Sequence, residues 1–188
     1  MRIYELSPNV NEGSPIIDLM SPKNDNLPSH EFNWQVLDEL VPSRLWTHGQ
    51  VFCDDERIAQ CDLIGGSGHF IVSRRMLDWM NELSDNAFIG LPEKVNDLDT
   101  YNYLCTNRLE VLDKEKSNIV YFSTGRILTV HKFAFLPNKI PARYVFQLMQ
   151  PRGWLFATEA AREFLLNNGI NNAQFDLVAD DVIPAEPA

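Results

Sequence analysis

One local grammar occurs twice in this chain. Phe70-Ile71-Val72-Ser73 is followed by Arg74-Arg75-Met76-Leu77-Asp78-Trp79-Met80-Asn81-Glu82-Leu83, and Trp154-Leu155-Phe156-Ala157-Thr158 by Glu159 through Gly169. In both, a short apolar run ends at a hydroxyl residue and a helical period begins. Ser73 and Thr158 are helix N-caps by type, because a side-chain oxygen there accepts an orphan backbone N–H. Met76, Leu77, Met80 and Leu83 recur at helical spacing, with Trp79 widening the apolar side; Ala161, Phe164 and Leu165 do the same in the second copy. Gly169 is the expected C-terminal stop. The exit strands read as NAFIGLP after the first helix and NAQFDLV after the second. A chain that writes strand, cap, helix, strand twice is constrained to fold as two strand–helix–strand units.

Between the units the chain is β-rich. YNYLCTNRLEVLD alternates bulky and polar residues, and SNIVYF and ILTVHKFAF flank a turn at Ser123-Thr124-Gly125. ARYVFQLM fits a strand or a helix: Val145 and Phe146 favour strand, whereas Pro141 just before it suits a helix start. MRIYEL alternates enough to be a first strand. The expected class is α+β, with a mixed, largely antiparallel sheet and a long irregular N-terminal region. Pro15, Pro22, Pro28 and Pro42 break up that region, although PSHEFNWQVLDEL has room for one short helix. The expected organisation is an irregular acidic region over 1–60, an α+β core over 61–180 and a flexible tail over 181–188.

Charge limits the partners. The 188 residues hold 16 bases and 26 acids, for a net −10. That balance argues against nucleic acid, which needs cations on its phosphates, and against an anionic membrane surface. Residues 1–60 contain ten acids and four bases, so the first third is the more acidic part. The N-terminus has no apolar run of signal-peptide length, and nothing approaches a spanning helix. With three cysteines, Cys53, Cys61 and Cys105, a soluble cytoplasmic protein is expected.

Catalytic constellations are not evident. Gly65-Gly66-Ser67-Gly68 precedes a strand, whereas a nucleophile elbow follows one. His48, Cys53, Cys61 and His69 lack the paired close spacing of a structural zinc site. Asp54-Asp55-Glu56 has no EF-hand loop around it. No metal or cofactor is expected. Arg74 and Arg75 stand in a first helical turn, where the macrodipole favours anions; nearby carboxylates are their expected partners, with a bound anion as the alternative. Trp34 and Trp46 lie in the irregular third, where tryptophans suit interface anchors and core equally.

Residues Asp62 to Val178 resemble the family 11 immunity proteins of bacterial polymorphic toxin systems. The resemblance is carried in order. Asp62-Leu63 precedes a turn and Phe70-Ile71-Val72-Ser73. Tyr101 to Ser117 forms a tyrosine-rich strand leading to an aspartate and a charged turn. Gly125-Arg126-Ile127 and Lys132-Phe133 form a central hairpin. Lys139-Ile140-Pro141 stands before Val145-Phe146-Gln147-Leu148, and Trp154 to Thr158 leads into the helix through Gly169-Ile170 and on to Phe175. The family pattern often has a glycine shortly after that last Gly-Ile; Asn171-Asn172-Ala173 stands here instead.

The resemblance implies a protein that binds and neutralises a cognate toxin effector domain by occlusion, with no catalytic residues. A basic nuclease is the toxin type that the acidity fits, by charge complementarity. The candidate partner-binding residues are Trp46, Asp54, Asp55, Glu56, Asp180 and Asp181. The competing readings are a small metal-dependent enzyme using His48, Cys53 or His69 with the acidic cluster, and a non-inhibitory adaptor of a toxin secretion operon. The oligomeric state is left open.

Overall fold

A computed structural model describes residues 1–9, 43, 46, 49–51, 53, 55–65 and 70–180. Its strands are β1 (Ile3–Pro8), β2 (Gly49–Val51), β3 (Leu63–Ile64), β4 (Ile71–Ser73), β5 (Phe88–Val95), β6 (Leu98–Cys105), β7 (Asn118–Tyr121), β8 (Ile127–Lys132), β9 (Val145–Gln147), β10 (Leu155–Thr158) and β11 (Ala173–Ala179). The helices are α1 (Arg74–Glu82) and α2 (Glu159–Asn167). One sheet has the order β2-β5-β6-β4-β3, a second β11-β1-β10-β9, and β7 pairs with β8. All these strand pairs are antiparallel except β2 with β5. The fold is α+β, as the repeated grammar requires.

Both units take one form. β4 and β5 each pair antiparallel with β6, so they run parallel with one strand between them. β10 and β11 flank β1 in the same way. Each helix therefore links two parallel strands across an antiparallel one, the split strand–helix–strand arrangement. The inserted strands differ in origin. β6 follows β5 through a tight hairpin, whereas β1 comes from the N-terminus. Thus residues 3–8, which the sequence places with the N-terminal region, lie in the interior of the second sheet.

The caps are as the residue types demand. Ser73 Oγ accepts the Met76 N–H and Thr158 Oγ1 accepts the Ala161 N–H. The helix ends diverge. After α2, Gly169 (φ +74°) donates to Leu166 O and Ile170 to Leu165 O, which is the paired bonding of a Schellman stop. After α1, Asp85 and Asn86 take the positive φ values instead.

The second sheet is covered on both faces. Leu6, Val145, Leu155 and Ala157 pack with Met76, Met80, Ala161 and Leu165 from the two helices. On the opposite face Phe146 and Phe156 pack with Ile127, Val130, Phe133 and Phe135. All four residues of β10 are buried, which explains why it reads as an unbroken apolar run. Phe133 meets Trp154 and Phe156 edge-on at 4.8 and 5.2 Å between centroids. Such pairs contribute ~1 kcal/mol each beyond area burial. ARYVFQLM resolves as the strand β9, because its side chains must fill both cores at the sheet edge. The helix expected in PSHEFNWQVLDEL lies outside the described residues.

Candidate functional site

Asp62 is the most heavily bonded polar side chain at the junction of the two units. It lies at the start of β3 and is 2% exposed. Its Oδ1 accepts Ser73 Oγ–H at 2.7 Å and Arg75 Nε–H at 3.1 Å. Its Oδ2 accepts Arg75 Nη2–H at 2.6 Å and the Asn171 backbone N–H at 2.9 Å. A carboxylate offers about four acceptor positions, so both oxygens are fully used. The backbone adds to the tie: Asp62 N–H donates to Asn171 O, and Ser73 N–H to Asp62 O. The Asn172 side chain donates to Leu63 O at 2.7 Å. Asn171-Asn172, where the family pattern often has glycine, thus joins the loop before β11 to the first sheet.

A cleft of about 640 Å³ opens beside this node, with Gln60, Cys61, Asp62, Arg75 and Asn171 on its walls. Its volume would suit a small molecule. Its chemistry is that of a clamp, because a general base needs a lone pair that Asp62 has already committed. The Cys61 thiol is pushed above its ordinary value by burial, with Asp55 and Asp62 adding to the effect. That keeps it protonated and weakly nucleophilic.

Arg75 meets the expectation of a carboxylate partner, while Arg74 does not. Arg74 stacks on the Tyr101 ring with its guanidinium carbon 4.2 Å from the centroid, and its Nη2 donates to the Tyr101 hydroxyl. An aromatic face supplies the negative potential in place of an acid.

The sequence-derived contact residues do not form one uniform patch. Asp55 is the N-cap of a short 3-10 helix over Glu56–Gln60 and accepts the Arg57 N–H at 3.0 Å and the Arg57 Nε–H at 2.8 Å. The Arg57 side chain, then its backbone N–H, holds the Asp55 carboxyl below the usual range. Glu56 is exposed. Trp46 is half-buried and its indole Nε1–H donates to Pro92 O at 2.8 Å, tying its segment to β5. Asp180 is exposed and pairs with Arg2 Nε at 3.4 Å. Asp54 and Asp181 lie outside the described residues, as do His48, His69 and Trp34. Among the described residues no three His, Cys, Asp or Glu side chains are grouped to hold a metal ion. The Asn96 side chain bonds both the N–H and the carbonyl of Cys53, at 3.0 and 2.8 Å.

A second surface is not among those candidates. The β7–β8 hairpin presents Val120, Tyr121, Phe122 and Leu128 to solvent. A signal for it stands in the sequence: no Asp or Glu occurs between Glu115 and Glu159, while six bases do.

Two split units tied by a saturated carboxylate define an α+β scaffold with an apolar hairpin on its outside. The chain belongs to the Immunity protein family (Imm11), whose family model matches residues 2–180. The match takes in the N-terminal third as well as the stretch from Asp62 to Val178. No curated protein matches the chain. Membership in a family of immunity proteins brings toxin immunity as the function it suggests and a toxin as the implied partner. Among the described residues no helix is long and apolar enough to cross a membrane.

Proposed function

We propose that this protein neutralises a cognate toxin effector domain by covering its active or substrate-binding surface, in the cytoplasm of the cell that makes both. The family match over residues 2–180 carries this reading. The saturated state of Asp62 supports an action by binding rather than turnover, since the best-built polar cluster is used to hold the fold together.

The acidic residues Asp54, Asp55, Glu56, Asp180 and Asp181 are the proposed contacts to a basic surface, such as the cleft of a nuclease. Trp46, half-buried with its indole N–H on Pro92 O, is the proposed aromatic contact beside them. The exposure of Glu56 and Asp180 and the net charge of −10 support this. Opposite charge speeds association and orients the encounter.

Co-expression of the toxin domain encoded beside this chain, with and without the chain, is the test. Growth is expected only with the chain present; equal killing in both would end the immunity reading. Charge reversal at Asp54, Asp55 and Glu56 together is expected to slow association at low salt. An unchanged on-rate would remove these residues from the interface.

A further inference from the structure

We infer that the β7–β8 hairpin is a docking element that seats in an apolar pocket rimmed by carboxylates on the toxin domain. This deepens the immunity reading and rests on it. The inference comes from what the hairpin buries and what it leaves open. Its inner side chains Ile127 and Val130 are buried against the four-stranded sheet. Its outer ones are open to solvent: Tyr121 is 47% exposed, and Phe122 and Leu128 are each 50% exposed. Packing of the fold makes little use of them, and clustered exposed apolar groups mark interaction sites. A tyrosine and an arginine near the tip are residue types enriched where binding energy concentrates, and phenylalanine is enriched in interfaces generally.

Backbone geometry holds the tip ready. Gly125 N–H donates to Phe122 O at 2.9 Å, and Phe122 N–H to Arg126 O at 2.8 Å. Gly125 takes φ +81°, the left-handed residue that closes a three-residue hairpin loop. The pairing passes from Val120↔Thr129 to Tyr121↔Ile127 and so leaves Leu128 as an extra, bulged residue. Bulges re-aim side chains. A preformed loop loses little conformational freedom on binding.

Charge identifies the partner's chemistry. The chain from Lys116 to Thr158 holds six bases and no acid, although the protein as a whole is at −10; two of the six, Lys116 and Arg143, pair with Asp113 and Glu82 outside the stretch. Arg126 and Lys132 are exposed and form no ion pair among the described residues. Arg126 stands beside the tip and Lys132 at the base of the hairpin, opposite Asn118, so cations at the two ends of the apolar strip select carboxylates at the rim of an apolar pocket. The acidic residues of the proposed function lie on segments of the chain other than this hairpin.

The experiment uses the full chain and the toxin domain encoded beside it. One variant carries Tyr121→Ser, Phe122→Ser and Leu128→Ser; a second carries Arg126→Glu and Lys132→Glu. Circular dichroism and melting establish that both fold as the wild type does. The first is expected to lose about 100-fold in affinity, and the second to associate about 10-fold more slowly at low salt. Binding of both variants at the wild-type affinity and rate would overturn the inference. So would a wild-type dimer that only the variants dissociate, since the occupant would then be a second copy. A wild-type chain that neither binds nor protects would end the immunity reading and this inference with it, whereas a wild type that protects alongside unimpaired variants ends this inference alone.

Discussion

Ser73 and Thr158 stand at the same place in two units whose helices start and stop at matching positions, Arg74–Glu82 and Glu159–Asn167. Each ends a strand, each caps a nine-residue helix, and each donates its N–H to a neighbouring segment, at Asp62 O and Tyr144 O. Their surroundings differ. Thr158 is fully buried and its hydroxyl also accepts the Tyr144 N–H at 3.0 Å. Removing it strands two backbone donors away from water. The Ser73 hydroxyl also donates to Asp62, but Ser73 is half-buried and lines the open cleft beside Asp62, so water can replace its hydroxyl at both partners. Ser73→Ala is expected to cost about 1 kcal/mol and Thr158→Val about 2–3 kcal/mol, in urea melts of the two variants. Equal costs would contradict this account.

The Asp62 node gives a second comparison. Asp62→Ala leaves Ser73 Oγ, the Asn171 N–H and the Arg75 guanidinium without their shared acceptor. Arg75 is half-exposed and recovers water, which limits its part of the loss. The expected destabilisation is about 2–3 kcal/mol, with Asp62→Asn intermediate because it retains one acceptor oxygen. Faster hydrogen exchange at Asn171 would locate the damage at the junction of the units.

Glu93 makes stability depend on pH. Burial pushes its carboxyl up to about 7, against a weaker opposing effect of the Asn102 amide. Below its ordinary value of 4.5 the group is protonated both folded and unfolded, and contributes nothing. As pH rises from there toward 7, the unfolded chain releases the proton first, so the folded state loses stability. Above about 7 the loss levels off at roughly 3 kcal/mol. Glu93→Gln is expected to flatten the curve through this window and to raise the melting temperature above pH 7. A variant with the wild-type pH profile would exclude Glu93 as the cause.

Two glycines should respond to alanine for different reasons. At Gly90 a Cβ would collide with Leu77 Cδ2 and stand 3.0 Å from Tyr101 Cδ1, and Leu77 is buried under α1. Overpacking there is expected to cost about 1–3 kcal/mol. At Gly125 nothing lies within 4 Å of the added carbon, and the penalty comes from φ alone, about 1 kcal/mol. Shortening the Leu77 side chain in the same protein should relieve the first loss and leave the second untouched.

Much of the local structure was legible in residue order. The caps at Ser73 and Thr158, the stop at Gly169 and the turn at Ser123-Thr124-Gly125 each depend on bonds within a few residues. The inward residues of both helices followed from spacing. The interaction surface was harder to read. Acids were conspicuous in the N-terminal third, yet Asp55 turned out to bond its own neighbour Arg57. The basic stretch was visible only as a lack of acids. Nothing local distinguished Val120 and Leu128, which face water, from Ile127 and Val130, which face the core.

Sequence alone determined that two strand–helix–strand units would form, because capping and helical spacing act over a single turn of chain. Tertiary structure alone decided how the units were completed. It set β1 between β10 and β11, and it brought the Asn171 N–H to Asp62 across more than a hundred residues. Those choices depend on which unpaired strand edge and which buried carboxylate find partners once the chain collapses. Such partners are remote in sequence, so no local period announces them.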